Sequence, residues 1–350
     1  MIEMKKISII IPCYNVDKYV DQCVESLISQ TMDLEMMELI FVDDASSDNT
    51  VNRLEKWEKR YPDSIMIICC EQNGRQGTAR NIGLNYASGE YIGFVDADDY
   101  VDRSMFQKLY DIAIKEDCQV VCGLFDRVME DGSVAIEAEK RTNAGRKICI
   151  HDRKGRVALM QSGLPGGVWS GIYRRKFILE NELFFPEKLL YEDNYWGAFL
   201  LQDISNYYIL NEVLYHYVVH NDSTIMKGNS LHHLDRLVIE LMKVEEYKKR
   251  GLFDDYHDEI ESGFIKMYFI NTIRILFVRF DKIPYDVIYM MQQNVKELFP
   301  HYQRNPYLRQ LPQLQRELLK IVEVPLNPER IDILANAYRE VLIKESGGIK

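Results

Sequence analysis

TARNIGLNYASGEYIGFVDADD, residues 78–99, contains a helix pattern, a strand pattern and an acidic turn in direct succession. Thr78 to Ala87 predicts a helix, and Gly89 is suited to its C-terminal cap. Tyr91 to Val95 predicts a buried strand that runs straight into Asp96-Ala97-Asp98-Asp99. The stretch is therefore a helix–strand unit that ends in three carboxylates.

The same alternation of strand and helix patterns continues on both sides of this unit. Further strands are predicted at Ile7 to Ile11, Leu39 to Val42, Ile65 to Cys70 and Val120 to Phe125, and further helices at Val16 to Ile28, Val51 to Trp57 and Met105 to Ala113. This order predicts an α/β fold with a mainly parallel sheet and helices on both of its faces. The polar segment from Met129 to Arg156 is expected to be irregular.

Polar residues follow three of the predicted strands: Pro12-Cys13-Tyr14-Asn15, Asp43-Asp44 and Asp96-Ala97-Asp98-Asp99. In open α/β sheets, ligands bind beyond the carboxyl ends of the strands. We therefore expect these three clusters to meet at one rim of the sheet and to form a site there.

The pattern changes in the last third of the chain. Apolar residues at helical spacing replace the strand runs, for example Leu234, Leu237, Val238, Leu241 and Val244. We place a domain boundary near residue 227, which gives an α/β domain at 1–227 and a helical module at 228–350. Within the module, Phe264 to Phe280 is strongly apolar but carries Lys266 and Arg274. It is interpreted as a core helix, with a membrane-surface helix as the alternative.

Composition narrows the range of possible partners and locations. The 350 residues include 43 Lys plus Arg and 54 Asp plus Glu, a formal net charge of −11. This balance argues against a nucleic-acid partner, which needs a basic face. The seven cysteines form no Cys-x-x-Cys pair, so free thiols in a reducing, cytoplasmic compartment are expected. We expect neither a signal peptide nor a membrane-spanning helix.

The three carboxylates of Asp96, Asp98 and Asp99 need compensation, because crowding like charges is unfavourable. A hard divalent cation, Mg²⁺ or Mn²⁺, would bind one or two of them and complete its shell with phosphate oxygens and water. The alternative is a solvated acidic turn in which one aspartate caps the next helix. A Gly-x-Gly-x-x-Gly turn and a Walker-type loop are both absent, so neutralisation of a phosphate would fall to metal and side chains.

Five strings of sequence together resemble family 2 glycosyltransferases of the GT-A fold. They are SIIIPCYN at 8–15, LIFVDDASSDNT at 39–50, TARNIGLNYASGEYIGFVDADD at 78–99, RRKFI at 174–178 and YEDNYW at 191–196. The resemblance covers roughly the first two-thirds of the chain and leaves the helical module outside it. It implies inverting transfer of a sugar from a nucleotide donor, usually UDP-linked, to a hydroxyl of a glycan or lipid-linked acceptor.

The resemblance also implies a donor site. Its matching positions are Pro12, Tyr14 and Asn15 around the base, Asp43 at the uracil edge with Asp44 nearby, Asn73 and Arg80 in the segment that closes over the nucleotide, and Asp96, Ala97 and Asp98 at the diphosphate. Asp98 is the expected metal ligand, and Asp96 is expected to contact the ribose or the metal. His220 is expected to face the phosphates, while His216 stands where relatives often carry an Arg.

The Glu-Asp pair of the family maps to Glu192 and Asp193. The resemblance implies that Asp193 is the general base and that Glu192 orients a hydroxyl of the acceptor or donor. Without the resemblance, the pair would be interpreted as acidic residues at a helix N-terminus. Trp169, after Gly166 and Gly167, is interpreted equally as a stacking surface for a sugar and as a core side chain.

Other functions stay open at this level. A catalytically silent carbohydrate-binding or scaffold protein could share the fold, and a sugar nucleotidyltransferase would need an early Gly-rich phosphate loop that this chain lacks. Because many relatives use lipid-linked acceptors, peripheral contact with the inner face of the membrane is one expectation for the module, and homodimerisation is another. The sequence does not identify the sugar or the acceptor.

Overall fold

The computed structural model describes residues 5–220, 228–325 and 327–345. The chain divides into two compact units, Met1–Asn221 and Asp222–Lys350. The boundary predicted at residue 227 falls among residues 221–227, outside the described residues.

The described part of the first unit alternates strands and helices, as predicted. Its strands are β1 (Ile7–Cys13), β2 (Met37–Asp43), β3 (Ile65–Cys69), β4 (Tyr91–Phe94), β5 (Tyr100–Val101), β6 (Val120–Met129), β7 (Val134–Ile136), β8 (Lys147–Cys149), β9 (Gly171–Arg174) and β10 (Asn206–Val219). Its helices are α1 (Val20–Ile28), α2 (Thr50–Arg60), α3 (Arg75–Tyr86), α4 (Met105–Lys115), α5 (Arg153–Ser162), α6 (Arg175–Glu180) and α7 (Glu192–Asp203).

These strands form one sheet in the order β3-β2-β1-β4-β9-β6-β10-β5, with β7 beside β6 and β8 beside β10. Strands β3, β2, β1 and β4 are parallel to one another, and β6 is parallel to β10. Strand β9 runs antiparallel between β4 and β6. The α/β prediction is confirmed, and the sheet is parallel in its first half and mixed in its second.

The core of this unit follows from burial on both faces of the sheet. All seven residues of β1 are buried, as expected for a central strand covered by helices. Helix α1 buries Val20, Cys23, Val24 and Leu27, which lie on one stripe of the helix at spacings of three and four.

Two local predictions differ from the structure. The segment from Met129 to Arg156 contains the short strands β7 and β8 and the start of α5, so it is not wholly irregular. Gly89 does not cap α3, which ends at Tyr86. Instead, its backbone packs against β1, where a Cβ atom at residue 89 would lie 2.5 Å from the Ser8 nitrogen.

The described part of the second unit is helical. Its helices are α8 (Asp235–Lys249), α9 (His257–Phe264), a π-helical turn at Ile265–Asn271, α10 (Thr272–Arg279), α11 (Tyr285–Leu298), α12 (Gln313–Lys320) and α13 (Pro328–Glu345). The apolar side chains of residues 264–280 are mostly buried in this unit, which supports the core-helix interpretation. Among the described residues, no helix combines the length and apolar character needed to span a bilayer.

Candidate active site

The three polar clusters meet at one edge of the sheet, as the α/β order predicts. Strands β2, β1 and β4 are neighbours and point the same way. Asp43 is the last residue of β2, opposite Cys13 in β1, and Asp96 lies two residues beyond β4. The rim is therefore a consequence of strand order.

Asp43 and Tyr14 lie at one end of this rim. The Asp43 side chain is buried, and its Oδ2 atom accepts a hydrogen bond from the Ser46 N–H at 3.0 Å. Its Oδ1 atom is buried and has no hydrogen-bond partner among the described residues. Such an oxygen is costly to leave unsatisfied, so it fits a ligand that brings an N–H donor. Tyr14 beside it is 51% exposed and presents its ring to solvent.

Asn15 ties two loops of the rim together. It adopts a positive φ of 53°, and its carboxamide oxygen accepts a hydrogen bond from the Ser47 N–H at 2.8 Å. Its own N–H donates to the Ser46 hydroxyl at 2.9 Å. Pro12 is buried within β1. These two residues shape the rim on either side of Cys13 and the exposed Tyr14.

Asp44 organises the start of α3. Its two carboxylate oxygens accept hydrogen bonds from the backbone N–H groups of Gly74 at 2.7 Å and Arg75 at 2.6 Å. The Asn73 amide donates to the Asp44 carbonyl at 3.2 Å. Both oxygens of Asp44 are thus engaged in holding the loop before α3, while the Asn73 side chain lies at the surface of that loop.

Arg80 lies beneath the rim and joins two carboxylates. The guanidinium is buried, with Nη2 at 2.9 Å from Asp96 Oδ1 and Nη1 at 2.5 Å from Glu192 Oε1. Asp96 and Glu192 together raise the pKa of Arg80 against the effect of burial. Burial keeps the pKa of Asp96 above its ordinary value, although Arg80 opposes this shift. Arg80 therefore connects the acidic turn with α7, and carboxylates of the protein itself compensate its charge.

The half-buried Asp98 of the acidic turn pairs with His220. His220 follows the last residue of β10, and its Nε2 atom lies 2.8 Å from Asp98 Oδ2. The His220 ring stacks on Tyr19 with a centroid distance of 4.9 Å. Ala97 between the aspartates is buried.

The donor set at Asp98 fits a divalent ion bound together with a ligand. Within the described residues, three or more His, Cys, Asp or Glu donor atoms converge within 4.8 Å only at His257, Asp258 and Glu261. Asp98 and His220 thus supply two close donors, while Asp96 Oδ1 is engaged with Arg80. Mg²⁺ and Mn²⁺ sites of this kind take their remaining ligands from phosphate oxygens and water.

Glu192 and Asp193 begin α7 in very different environments. Tyr191, just before them, has a left-handed backbone with φ of 67°. The Glu192 side chain is buried, and burial raises its pKa to about 7 against the opposing effect of Arg80. Asp193 is exposed, and its Oδ1 atom accepts a hydrogen bond from the Asn194 N–H at 2.9 Å. Asp193 is therefore the member of the pair that solvent and ligands can reach.

Two other predicted residues are engaged within the sheet. His216 Nδ1 lies 2.8 Å from Asp126 Oδ1, and its ring stacks on Tyr100. Trp169 stacks on Tyr215 with a centroid distance of 4.3 Å, so one of its faces is already covered.

The sequence did not single out Tyr215, which the structure places at the centre of the rim. Its hydroxyl donates to Asp99 Oδ2 at 2.6 Å and accepts from the Asp96 N–H at 3.2 Å. The aromatic run around His216 was visible in the sequence, but a strand alone does not show which hydroxyl reaches the acidic turn.

Comparison of the sequence and the fold with known proteins shows which family the chain belongs to. Residues 8–181 match the family model "Glycosyl transferase family 2". The "Uncharacterized glycosyltransferase YibD" of Escherichia coli K12 is 28% identical over 267 residues, which cover 73% of this chain and 76% of that protein.

Among solved structures, the crystal structure of S. aureus TarS aligns with a TM-score of 0.65 at 20% identity, covering 94% of this chain and 54% of TarS. This chain thus spans about half the length of TarS. A structure of TarS 1-349 in complex with UDP-GlcNAc aligns with a TM-score of 0.55 at 16% identity and covers 91% of this chain and 90% of that fragment. At these identities the likeness concerns the fold. Together with the family match, it identifies the chain as a glycosyltransferase with a GT-A-type fold that belongs to glycosyltransferase family 2.

Proposed function

We propose that this glycosyltransferase moves a sugar, with inversion, from a UDP-sugar to a hydroxyl of a glycan or lipid-linked acceptor. The observation that carries the proposal is the row of carboxylates along one sheet edge. It runs from the buried Asp43 to the acidic turn with Asp96 and Asp98. Arg80 links Asp96 to Glu192 at the start of α7, next to Asp193. A base pocket, a diphosphate site and a general base would thus occupy one rim in the order that a nucleotide sugar requires.

The base pocket is assigned to Asp43 and Tyr14. Uracil offers an imide N–H that can donate to the buried Asp43 Oδ1 atom, and the exposed Tyr14 ring can cover the base. Pro12, Asn15, Asp44 and Asn73 shape this pocket through the loops that they hold. The complex of TarS 1-349 with UDP-GlcNAc supports a uridine donor for a chain of this fold.

The diphosphate site is assigned to Asp98 and His220, with Asp96 and Ala97 forming the turn. Asp98 and His220 would hold Mg²⁺ or Mn²⁺, and the imidazole nitrogen favours Mn²⁺ because Mg²⁺ takes oxygen ligands. When bound, the ion supplies Lewis-acid stabilisation for the charge that grows on the departing diphosphate. Arg80 keeps Asp96 in place from below.

Asp193 is assigned as the general base. The acceptor oxygen forms a bond to the anomeric carbon while the bond from that carbon to the phosphate oxygen breaks, and UDP leaves with the electron pair. The proton of the acceptor hydroxyl passes to Asp193, which is exposed at the start of α7. Glu192 is held by Arg80 and orients the first turn of α7 and the hydroxyl bound there.

The cellular setting is inferred from the cysteines and from the proposed acceptor. The seven cysteines are free, which fits a reducing compartment and hence the cytoplasm. A lipid-linked acceptor would bring the chain to the inner face of the membrane. The burial of residues 264–280 argues against that segment as the contact, so any membrane or homodimer surface would lie elsewhere.

Two matched substitutions test the proposal. Asp98→Asn should abolish transfer and weaken Mn²⁺-dependent binding of UDP by at least about tenfold, because it removes the charged metal ligand. Asp193→Asn should lower transfer by at least about a hundredfold but leave UDP binding intact, because it removes only the proton acceptor. Calorimetry with UDP and Mn²⁺, together with assays over a panel of UDP- and GDP-sugars, measures both effects.

Transfer at the wild-type rate by Asp193→Asn would refute the base assignment. A wild-type chain without affinity for any nucleotide sugar would instead favour the catalytically silent carbohydrate-binding protein.

A further inference from the structure

We propose that Asp99 and Tyr215 form a hydrogen-bonded clamp that fixes the end of β10 to the acidic turn and so sets the spacing of Asp98 and His220. Neither residue would touch the donor, so both are positioning residues. This inference rests on the metal-binding role proposed above for Asp98 and His220.

The Tyr215 hydroxyl ties both ends of the acidic turn to one point. It donates its proton to Asp99 Oδ2 at 2.6 Å and accepts the Asp96 N–H at 3.2 Å. The side chain is buried, and its ring is stacked between the sheet and Trp169, which leaves the hydroxyl little freedom. The turn on which Asp98 stands is therefore held from its first and last residues.

The second oxygen of Asp99 holds the other partner of the pair. Asp99 Oδ1 accepts the Val218 N–H at 2.7 Å. Val218 is two residues before His220, whose Nε2 atom lies 2.8 Å from Asp98 Oδ2. Asp99 thus accepts hydrogen bonds from two positions of β10. They are the Tyr215 hydroxyl and the Val218 N–H, two residues before His220.

Both carboxylate oxygens of Asp99 are engaged in these contacts. It is buried, and each of its carboxylate oxygens accepts a hydrogen bond from the protein. Its burial and its two hydrogen bonds give Asp99 a structural role within the protein, although it is adjacent to Asp98.

The backbone ties the end of β10 firmly to β6 but only briefly to the acidic turn. Strand β5, which follows the acidic turn, pairs with β10 at only two positions, Tyr215 with Val101 and His216 with Tyr100. The ladder between β6 and β10 also shifts register just before Tyr215. From Tyr215 to Val219 the ladder with β6 is regular, so the backbone fixes this part of β10 to β6. The hydrogen bonds of Asp99 and Tyr215 add the link from β10 to the acidic turn, which β5 supports at two positions only.

The test is the affinity for Mn²⁺ in the presence of UDP, measured from the electron paramagnetic resonance signal of free Mn²⁺. Tyr215→Phe removes the hydroxyl but keeps the ring, and we expect the dissociation constant for Mn²⁺ to rise about tenfold, as for other residues that orient metal ligands. Tyr91→Phe is the matched control, because Tyr91 is equally buried in the same sheet and donates to the Cys118 carbonyl at 2.8 Å, away from the rim. It should leave the Mn²⁺ affinity unchanged.

A double-mutant cycle supplies the second measurement. Asp99→Leu removes both acceptor oxygens at similar volume and should weaken Mn²⁺ binding in the same way. The double variant with Tyr215→Phe should lose less than the sum of the two single variants, because both remove the hydrogen bond between these side chains. Additive losses, an unchanged Mn²⁺ affinity in Tyr215→Phe, or an equal loss in Tyr91→Phe would each overturn the clamp. Failure of wild-type protein to bind UDP more tightly with Mn²⁺ would overturn the metal site as well.

Discussion

At the scale of single residues, Glu192 and Asp193 show how two adjacent carboxylates acquire different chemistry. Glu192 is buried against Arg80, whereas Asp193 faces solvent one position later. The helix turns by about 100° between neighbouring residues, so one side chain enters the unit and the other leaves it. The sequence marks the pair through its resemblance to the family, but only the packing shows which member a substrate can reach.

The raised pKa of Glu192 predicts a pH effect on stability. The folded chain keeps a proton on Glu192 up to about pH 7, whereas the unfolded chain releases it near the ordinary value of 4.5. The contribution of Glu192 is therefore fully present below about pH 4.5 and is lost as pH rises through about 7. The free energy of unfolding should fall by about 3 kcal/mol across this interval.

Urea unfolding of wild type and Glu192→Gln at several pH values measures this effect. Glutamine keeps an acceptor for Arg80 but does not titrate, so the difference between the two proteins isolates residue 192. A difference that stays constant from pH 4.5 to pH 8 would contradict the raised pKa.

The position of charged residues at the rim could be predicted where they end or follow a strand. Asp43 and Asp98 follow strands in an α/β sequence and lie at the rim. Asp44 and Arg80 are also charged, but the protein itself engages them: Asp44 accepts from backbone N–H groups, and Arg80 contacts two carboxylates. That distinction depends on contacts between residues that are 16 to 112 positions apart, which a local pattern does not contain.

At the scale of secondary structure, α3 and α7 approach each other closely at Gly77. A Cβ atom at residue 77 would overlap the Pro186 carbonyl oxygen and lie 3.1 Å from Glu192 Cγ. The glycine lets the helix that carries Arg80 lie directly against the segment that carries Glu192. The ion pair between them depends on this approach.

Gly77→Ala should therefore destabilise the protein by about 1–3 kcal/mol through overpacking, although alanine is the better helix former. Gly197→Ala in α7 is the matched control, since a Cβ there meets nothing within 4 Å, and it should stabilise the protein by up to about 1 kcal/mol. Thermal unfolding of both variants measures the contrast. Effects of opposite sign are expected, and stabilisation by both alanines would refute the close approach.

The elements themselves were predictable to different degrees. Strands β1, β2 and β4 were recognisable because central parallel strands are continuous apolar runs, and the edge strand β3 was recognisable from its own apolar run. The antiparallel strand β9 and the long strand β10 were not predicted. Strand β9 is only four residues long, and β10 mixes buried and exposed positions without strict alternation. Their places in the sheet, and with them the position of His220, come from pairings between distant segments.

At the scale of the whole molecule, the chain is two compact units with separate cores. The polar groups assigned to donor and base all belong to residues 12–220, within the first unit. The change from strand patterns to long helical patterns was the signal of this division in the sequence. The role of the helical unit is not visible in that signal, because its apolar residues are used in its own core.

A chain truncated after residue 227 should therefore keep Mn²⁺-dependent binding of UDP, with a dissociation constant within about threefold of that of the full chain, because domains with their own core can fold alone. Calorimetry on both proteins tests this, and circular dichroism confirms that the shorter chain is folded. Loss of UDP binding by a folded truncated chain would show that the helical unit completes the donor site.

The single guanidinium of Arg80 has a practical consequence for protein engineering. It serves the acidic turn and α7 at once, and it is buried with both partners. Replacing Glu192 with an apolar residue would remove one of the two carboxylate partners of the buried Arg80. The remaining contact, with Asp96 in the acidic turn, would then be disturbed. Under the roles proposed for Asp96 and Glu192, donor and acceptor specificity would be coupled through Arg80, and a library that varies position 192 should vary position 80 with it.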